Sequence, residues 1–161
     1  MWRVLLLRFG GLLAIAAAGF SSQANVSPPV DVVAARQESM DMSSITLHSM
    51  KEAIKAGREA KTQAYPATAL AKWAKVLPTM FPQETPGNDM SPGSQALNAV
   101  WQDPTGFDRA VSSYADATAK LAALATANDT AGFTNQLDQV NSACTSCHSR
   151  YKSGAQTPPK K

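Results

Sequence analysis

Phe133, Leu137, Val140, Cys144, Cys147 and Tyr151 recur at alternating spacings of four and three near the end of the chain. That alternation puts them on one stripe of a single helix, so whatever this chain folds into must give that stripe a partner face. Two of the six are cysteines, and His148 follows the second, making residues 144–148 a Cys-x-x-Cys-His run. The run reads as a covalent attachment site for c-type haem. Cysteines three apart on a helix lie on one face, so both sulfurs can form thioethers to the same ring edge. The next residue, a histidine, can then bind iron as an axial ligand.

Three plainer readings of the same residues fit less well. A thiol–disulfide motif opens a helix after a strand, whereas this pair lies deep in a helical stretch with no βαβ pattern before it. A structural zinc site takes about four ligands, and the chain has two cysteines and two histidines, His48 lying far from His148 in sequence. A disulfide would leave the adjacent histidine without a role.

The start of the chain has the form of a secretory leader. Arg3 and Arg8 precede an apolar run from Leu12 to Phe20, and Ser22-Gln23-Ala24 is a small-x-small cleavage site. The run is shorter than a comfortable membrane span, so a cleaved leader over residues 1–24, a mature chain from Asn25 and a periplasmic location are expected. Losing Arg3 and Arg8 leaves 13 basic against 12 acidic side chains. The basic pI of the whole chain therefore says little about partners, and nothing argues for nucleic acid binding. The remaining 137 residues suit one domain with one core.

Four amphipathic stretches read as helices. In the first, Val33, Met40, Leu47 and Ile54 recur every seven residues, with Arg36, Ser43 and Met50 between them. Asp31 is placed to cap this helix and Gly57 to end it. The second covers about 67–77, with Leu70, Trp73, Val76 and Leu77 on one side. The third starts near Pro104 and carries Phe107, Val111, Tyr114, Thr118 and Leu121. The fourth begins after Asn128-Asp129-Thr130 and runs into the cysteines. No stretch alternates like a strand. The expected fold is all-α: an antiparallel up-down-up-down four-helix bundle over residues 25–153. A long Pro-rich loop, 78–103, joins helices two and three, with a short helix expected from Ser91-Pro92 to tuck Leu97, Val100 and Trp101 onto the bundle. Residues 154–161 are expected to be a disordered tail. In such a bundle the start of helix one lies beside the end of helix four, so Arg36 to Met40 should face His148. His48 is roughly 12 Å further along helix one and poorly placed as a ligand.

Arg36-Gln37 followed by Met40, the Pro-rich loop ending in Ala99-Val100-Trp101, Phe107, and Cys144-x-x-Cys147-His148-x-x-Tyr151-Lys152 together resemble the class II c-type cytochromes, the cytochrome c-prime family. The resemblance spans nearly the whole mature chain. It implies one covalent haem c per chain on Cys144 and Cys147, with His148 as proximal iron ligand and Arg36 and Gln37 near the propionates. It also implies a one-electron carrier serving redox partner proteins, not an enzyme. The alternative is a five-coordinate binder of nitric oxide or carbon monoxide. Met40 faces the distal side, where methionine binds iron in low-spin relatives and an apolar side chain blocks it in high-spin ones. Both roles are open to Met40, as is plain core filling. Relatives are often homodimers through the first two helices. The chain departs from the family at Glu84-Thr85-Pro86-Gly87, so the resemblance assigns no propionate contact to that loop.

Three further features admit competing readings. Arg36 sits on the apolar seam, where a charge needs a partner: a propionate, or else Glu38 or Asp41. Lys51, Lys55, Arg58 and Lys61 form a basic stripe interleaved with Glu52 and Glu59, expected to be a solvated face rather than a docking surface. Lys152, one turn after His148, either modulates the iron site or complements the helix dipole.

Overall fold

The computed structural model describes residues 31–85, 87 and 93–154. The expected leader, the mature start at Asn25, the helix start at Ser91-Pro92 and the tail beyond Gly154 lie outside the described residues. The chain forms four long helices, α1 (Val32–Lys55), α2 (Ala64–Val76), α4 (Pro104–Thr126) and α5 (Thr130–Tyr151), with a one-turn helix α3 (Ala99–Gln102) in the Pro-rich connection. Short 3-10 turns, Ala60–Gln63 and Leu77–Met80, lead into and out of α2.

The helix boundaries follow from local chemistry. Asp31, Asp103 and Asp129 each accept a hydrogen bond from the backbone N–H three residues on, at 3.0, 3.1 and 2.8 Å. Each cap satisfies a donor that the first turn leaves free, a contribution of about 1 kcal/mol. Pro104, whose ring presets helical φ, follows one of them. α1 closes with Gly57 at φ +77°. The N–H groups of Gly57 and Arg58 return to the carbonyls of Ile54 and Ala53, the Schellman arrangement. α4 ends the same way on Asn128, at φ +56°, with Asn128 and Asp129 donating to Ala125 and Leu124. Asp129 then caps α5, so α4 and α5 form a tight antiparallel hairpin. The Asn128 amide oxygen accepts from the Lys61 N–H at 2.9 Å and the Thr130 hydroxyl from the Ala60 N–H at 3.1 Å, which pins the start of α2 to this hairpin.

α4 packs along both α2 and α5, whereas α1 touches its neighbours α2 and α5 more sparingly. At one end the bundle is closed: Met50, Leu121 and Phe133 have no exposed surface, and mid-bundle Val140 and Thr118 have none either, Thr118 donating to the Tyr114 carbonyl at 3.0 Å. All five apolar-face residues expected on the third helix are buried, as are Phe133, Leu137, Val140 and Tyr151 on the fourth. The second helix differs from expectation. Val76 is 45% exposed, and the buried row is Ala67, Leu70, Ala74 and Leu77, with Trp73 at its flank. Steps of three and four from Leu70 reach Ala74 and Leu77, while Val76 lies well round the helix from that row. Small alanines, not the larger Val76, let α2 approach α4.

Val100 of α3 is buried and Trp101 packs at the edge, its indole N–H donating to the Pro82 carbonyl at 3.2 Å. Before α3, the segment from Gly93 to Leu97 lies against the end of α5. Ala96 pairs with Lys152 in an antiparallel bridge, Leu97 N–H donates to Tyr151 O at 2.9 Å, and Ser153 N–H donates to Gln95 O at 2.8 Å. No described helix is long and apolar enough to cross a membrane.

Candidate haem site

At the end of the bundle opposite the Met50 layer, α1 and α5 stand apart around two adjoining cavities of about 310 and 230 Å³. Met40, Leu77, Val111, Cys147 and His148 line both, so they form one slot. Together the two lie in the roughly 300–1,000 Å³ range of small-molecule and cofactor sites. Arg36 and Gln37 line the outer part and Cys144 the inner part. All six residues expected at the site therefore reach one slot. His48 is exposed and lines neither cavity.

Cys144 and Cys147 are free, half-buried thiols three residues apart on α5, far from its N-terminus. Burial raises the pKa of both, and burial together with neighbouring Cys144 pushes Cys147 up to about 11. Both are thiols, not thiolates, at neutral pH, the opposite of what disulfide exchange needs. Burial, and then the positive charge of Lys152, holds His148 below its ordinary 6.5. Its imidazole is therefore neutral at pH 7 and keeps a lone pair for a metal. Among the described residues no group of three His, Cys, Asp or Glu side chains could hold an ion unaided. The slot itself suits a flat apolar ring: Leu77, Phe81, Val100, Phe107 and Val111 form its walls, with both thiols and one neutral imidazole reaching it from α5. These residues fit a haem.

Arg36 is only 3% exposed. Its Nη1 donates to Met80 O and Thr85 Oγ1, each at 3.2 Å, and its Nη2 to Ser94 Oγ at 2.7 Å. The guanidinium also stacks on Phe81 and Trp101, 4.9 and 5.8 Å from their ring centroids. Burial lowers its pKa, but an arginine keeps its charge in proteins. Among the described residues it forms no ion pair, so Glu38 and Asp41, the carboxylate partners considered from sequence, do not neutralise it. Both lie exposed along the slot. Gln37 Nε2 donates to Gly93 O at 2.7 Å. Sequence reasoning missed Met80, Thr85 and Ser94, which sit in the Pro-rich connection without periodicity. The one signal pointing to them was a seam arginine that required acceptors.

Below His148, Tyr151 closes the slot. Its ring meets Phe107 edge-on at 5.4 Å, and Phe107 meets Phe81 at 4.9 Å. Its hydroxyl donates to Asp103 Oδ2 at 2.9 Å, and Arg150 pairs with the same oxygen at 2.7 Å. The carboxylate that caps α4 thus also fixes the end of α5. The Tyr151 hydroxyl, the Gly106 N–H and the two nearby arginines hold Asp103 below the ordinary carboxylate value. A methyl at Gly106 would strike the Asp103 carboxylate and lie 2.5 Å from the Tyr151 hydroxyl, which is why glycine stands there. The basic stripe is mostly neutralised: Lys51 pairs with Asp138, Lys55 with Glu52 and Lys61 with Glu59.

A four-helix bundle with a Cys-x-x-Cys-His run walling an apolar slot at one end defines the class of helical-bundle haem proteins. The chain belongs to the cytochrome c' family, whose model matches residues 31–152. Cytochrome c' of Rubrivivax gelatinosus is 33% identical over 98 residues, 61% of this chain and 74% of that protein. Its crystal structure superposes with a TM-score of 0.68 at 26% identity, covering 79% of this chain and 98% of the other. Cytochrome c-554 of Cereibacter sphaeroides is 32% identical over 87 residues, 53% of this chain and 56% of that protein. A cytochrome c' variant from Alcaligenes xylosoxidans, ferrous and with nitric oxide bound, shares the fold at a TM-score of 0.67 and 22% identity, covering 78% of this chain and 96% of the other. The protein is thus a haem protein of this family, in the range of electron carriers and gas binders.

Proposed function

We propose that this protein is a periplasmic one-electron carrier holding one haem c, attached through Cys144 and Cys147 and ligated by His148 and Met40. The observation that carries the reading is the slot: both thiols, the imidazole of α5 and the thioether of α1 line one apolar cavity. A haem held there would supply one-electron redox chemistry. The chain's own part is to bind, orient and shield it. Cys144 and Cys147, on one face of α5, fix the ring edge. His148, kept neutral by burial, offers a nitrogen ligand. Met40 offers sulfur, which raises the reduction potential. Arg36 supplies the positive charge that a propionate requires. The protein transforms no substrate of its own; its partners are redox proteins that give or take the electron.

Two measurements test this. Intact mass should exceed the polypeptide by one haem and resist acid extraction; a mass matching the bare chain from Asn25 sinks the attachment. The ferric protein should show a far-red sulfur–iron band that Met40→Ala abolishes. Absence of that band in the wild type removes Met40 from the iron. The second reading, five-coordinate gas binding, is favoured by the nitric oxide held by the Alcaligenes relative. It predicts a high-spin spectrum that shifts on adding carbon monoxide, where the carrier stays unmoved.

The α1–α2 face is the expected homodimer surface. Met42 and Ile45 on α1 are about 60% exposed, Val76 and Tyr65 on α2 are exposed too, and the buried indole N–H of Trp73, which lines one groove with Met42, has no acceptor among the described residues. Sedimentation should give a dimer that Ile45→Lys converts to monomer; a wild-type monomer at micromolar concentration rejects the surface.

A further inference from the structure

The segment from Gly93 to Leu97 is fastened at two sides of the slot. On the α5 side it carries the Ala96–Lys152 bridge and the bonds to Tyr151 and Ser153, immediately after the His148 turn. On the α1 side it receives Arg36 at Ser94 and Gln37 at Gly93. Ser94 is only 7% exposed, and its hydroxyl oxygen also accepts from Ala96 N–H at 3.2 Å. A buried hydroxyl in a connecting segment needs partners, and this one joins the two walls of the slot.

We infer that Ser94 is a positioning residue for the bound haem: it holds the Arg36 guanidinium at the slot and in register with the His148 end of α5, and through Arg36 it sets the reduction potential. The inference rests on the haem reading above and adds a residue that the reading does not use. Its physical basis is the way Arg36 is held. Among the described residues every hydrogen bond it makes goes to a neutral acceptor, Met80 O, Thr85 Oγ1 or Ser94 Oγ. Neutral acceptors fix a cation without cancelling its charge; Asp31 attracts it but forms no ion pair with it, a weaker effect than burial, so a field from the guanidinium remains at the slot. Taking up one electron lowers the charge of the site by one unit, and a fixed cation favours that state. Ser94 makes the shortest of the three bonds and the only one from the segment tied to α5. Without it the long side chain can turn from the slot, and the preference for the reduced form weakens.

The test is spectroelectrochemical titration of the purified haem-loaded protein, with the electrode supplying the electron. Arg36→Gln should raise the oxidised-to-reduced ratio at a fixed potential about tenfold, equivalent to 59 mV for one electron. Ser94→Ala should raise it at least threefold, about 28 mV on the same scale, and Ser94→Thr should restore the wild-type value. Adding Ser94→Ala to Arg36→Gln should change nothing further, because Ser94 acts through the guanidinium. A Ser94→Ala shift that persists in the Arg36→Gln background means a merely structural role and overturns the inference; so does a Ser94→Ala protein with wild-type potential. Should Ser94→Ala not fold, Thr85→Val takes its place, with a smaller shift in the same direction that also vanishes with Arg36→Gln. A wild-type protein whose mass shows no haem overturns the underlying reading and the inference with it. That outcome is distinct from a loaded protein with unmoved potentials.

Discussion

A buried arginine on an apolar seam is costly to carry, and at this position the cost has a use. Arg36 was legible in the sequence because the heptad spacing of α1 leaves it facing inward. What surrounds it was not: Met80, Thr85 and Ser94 lie in a segment whose prolines and glycines carry no periodic signal. The same contrast holds for Asp103. Its capping role could be guessed from Pro104, but its bond to Tyr151, 48 positions away, could not. That pair predicts an acid response. A carboxylate whose folded pKa is depressed stabilises the fold above its ordinary value of 3.8 and loses that stabilisation as pH falls through the lower folded value. The melting temperature of the wild type should therefore drop more steeply than that of Asp103→Asn between pH 4 and pH 2. Parallel slopes reject the linkage. Gly106→Ala should destabilise at every pH by about 1–3 kcal/mol, the cost of forcing atoms into a filled site; denaturant unfolding measures it.

At the scale of elements, the long helices were readable because large apolar residues repeat at three and four along α1, α4 and α5. α2 was read less well because its core face is built partly from Ala67 and Ala74, which signal burial weakly beside Trp73 and Val76. Helix ends were readable wherever aspartate, proline or glycine marked them. The exception is Asn128, a non-glycine residue in the left-handed region. It is tolerated there because its side-chain oxygen also receives the Lys61 N–H. Asn128→Ala should cost about 1–2 kcal/mol in backbone strain alone, plus the lost bond. Asn128→Gly should relieve the strain while still losing that bond. Chemical denaturation of the two variants separates these parts, and equal stabilities would show that the backbone conformation is not what matters.

For the molecule as a whole, the bundle divides into a packed end around Met50, Leu121 and Phe133 and an open end around His148. The division separates stability from cofactor chemistry. Met50→Ala should lower unfolding stability by about 2–5 kcal/mol while leaving the optical spectrum of the haem-loaded protein unchanged; a shifted spectrum would mean the two ends are coupled. The bundle and the cluster of site residues were both legible from the chain, since helix order alone brings the start of α1 beside the end of α5. The strap from Gly93 to Leu97 was not, because nothing in a short irregular segment announces which helix it will cross.

The sparing contact between α1 and α5 bears on the order in which the molecule comes apart. Arg36 and His148 are separated by more than a hundred residues, so their meeting carries a large loop-closure cost, and little direct packing between the two helices repays it. Without a cofactor in the slot, α1 is the long helix least anchored to the rest. In hydrogen exchange of the haem-free chain, the amides of Arg36 to Ser44 should exchange fastest among the long helices, while the α4–α5 hairpin stays protected. Uniform protection across the helices would show that α1 needs no occupant to stay in place. The expected pattern makes the prosthetic group the inner half of a helix interface, a wedge that the protein is built around rather than cargo that it holds.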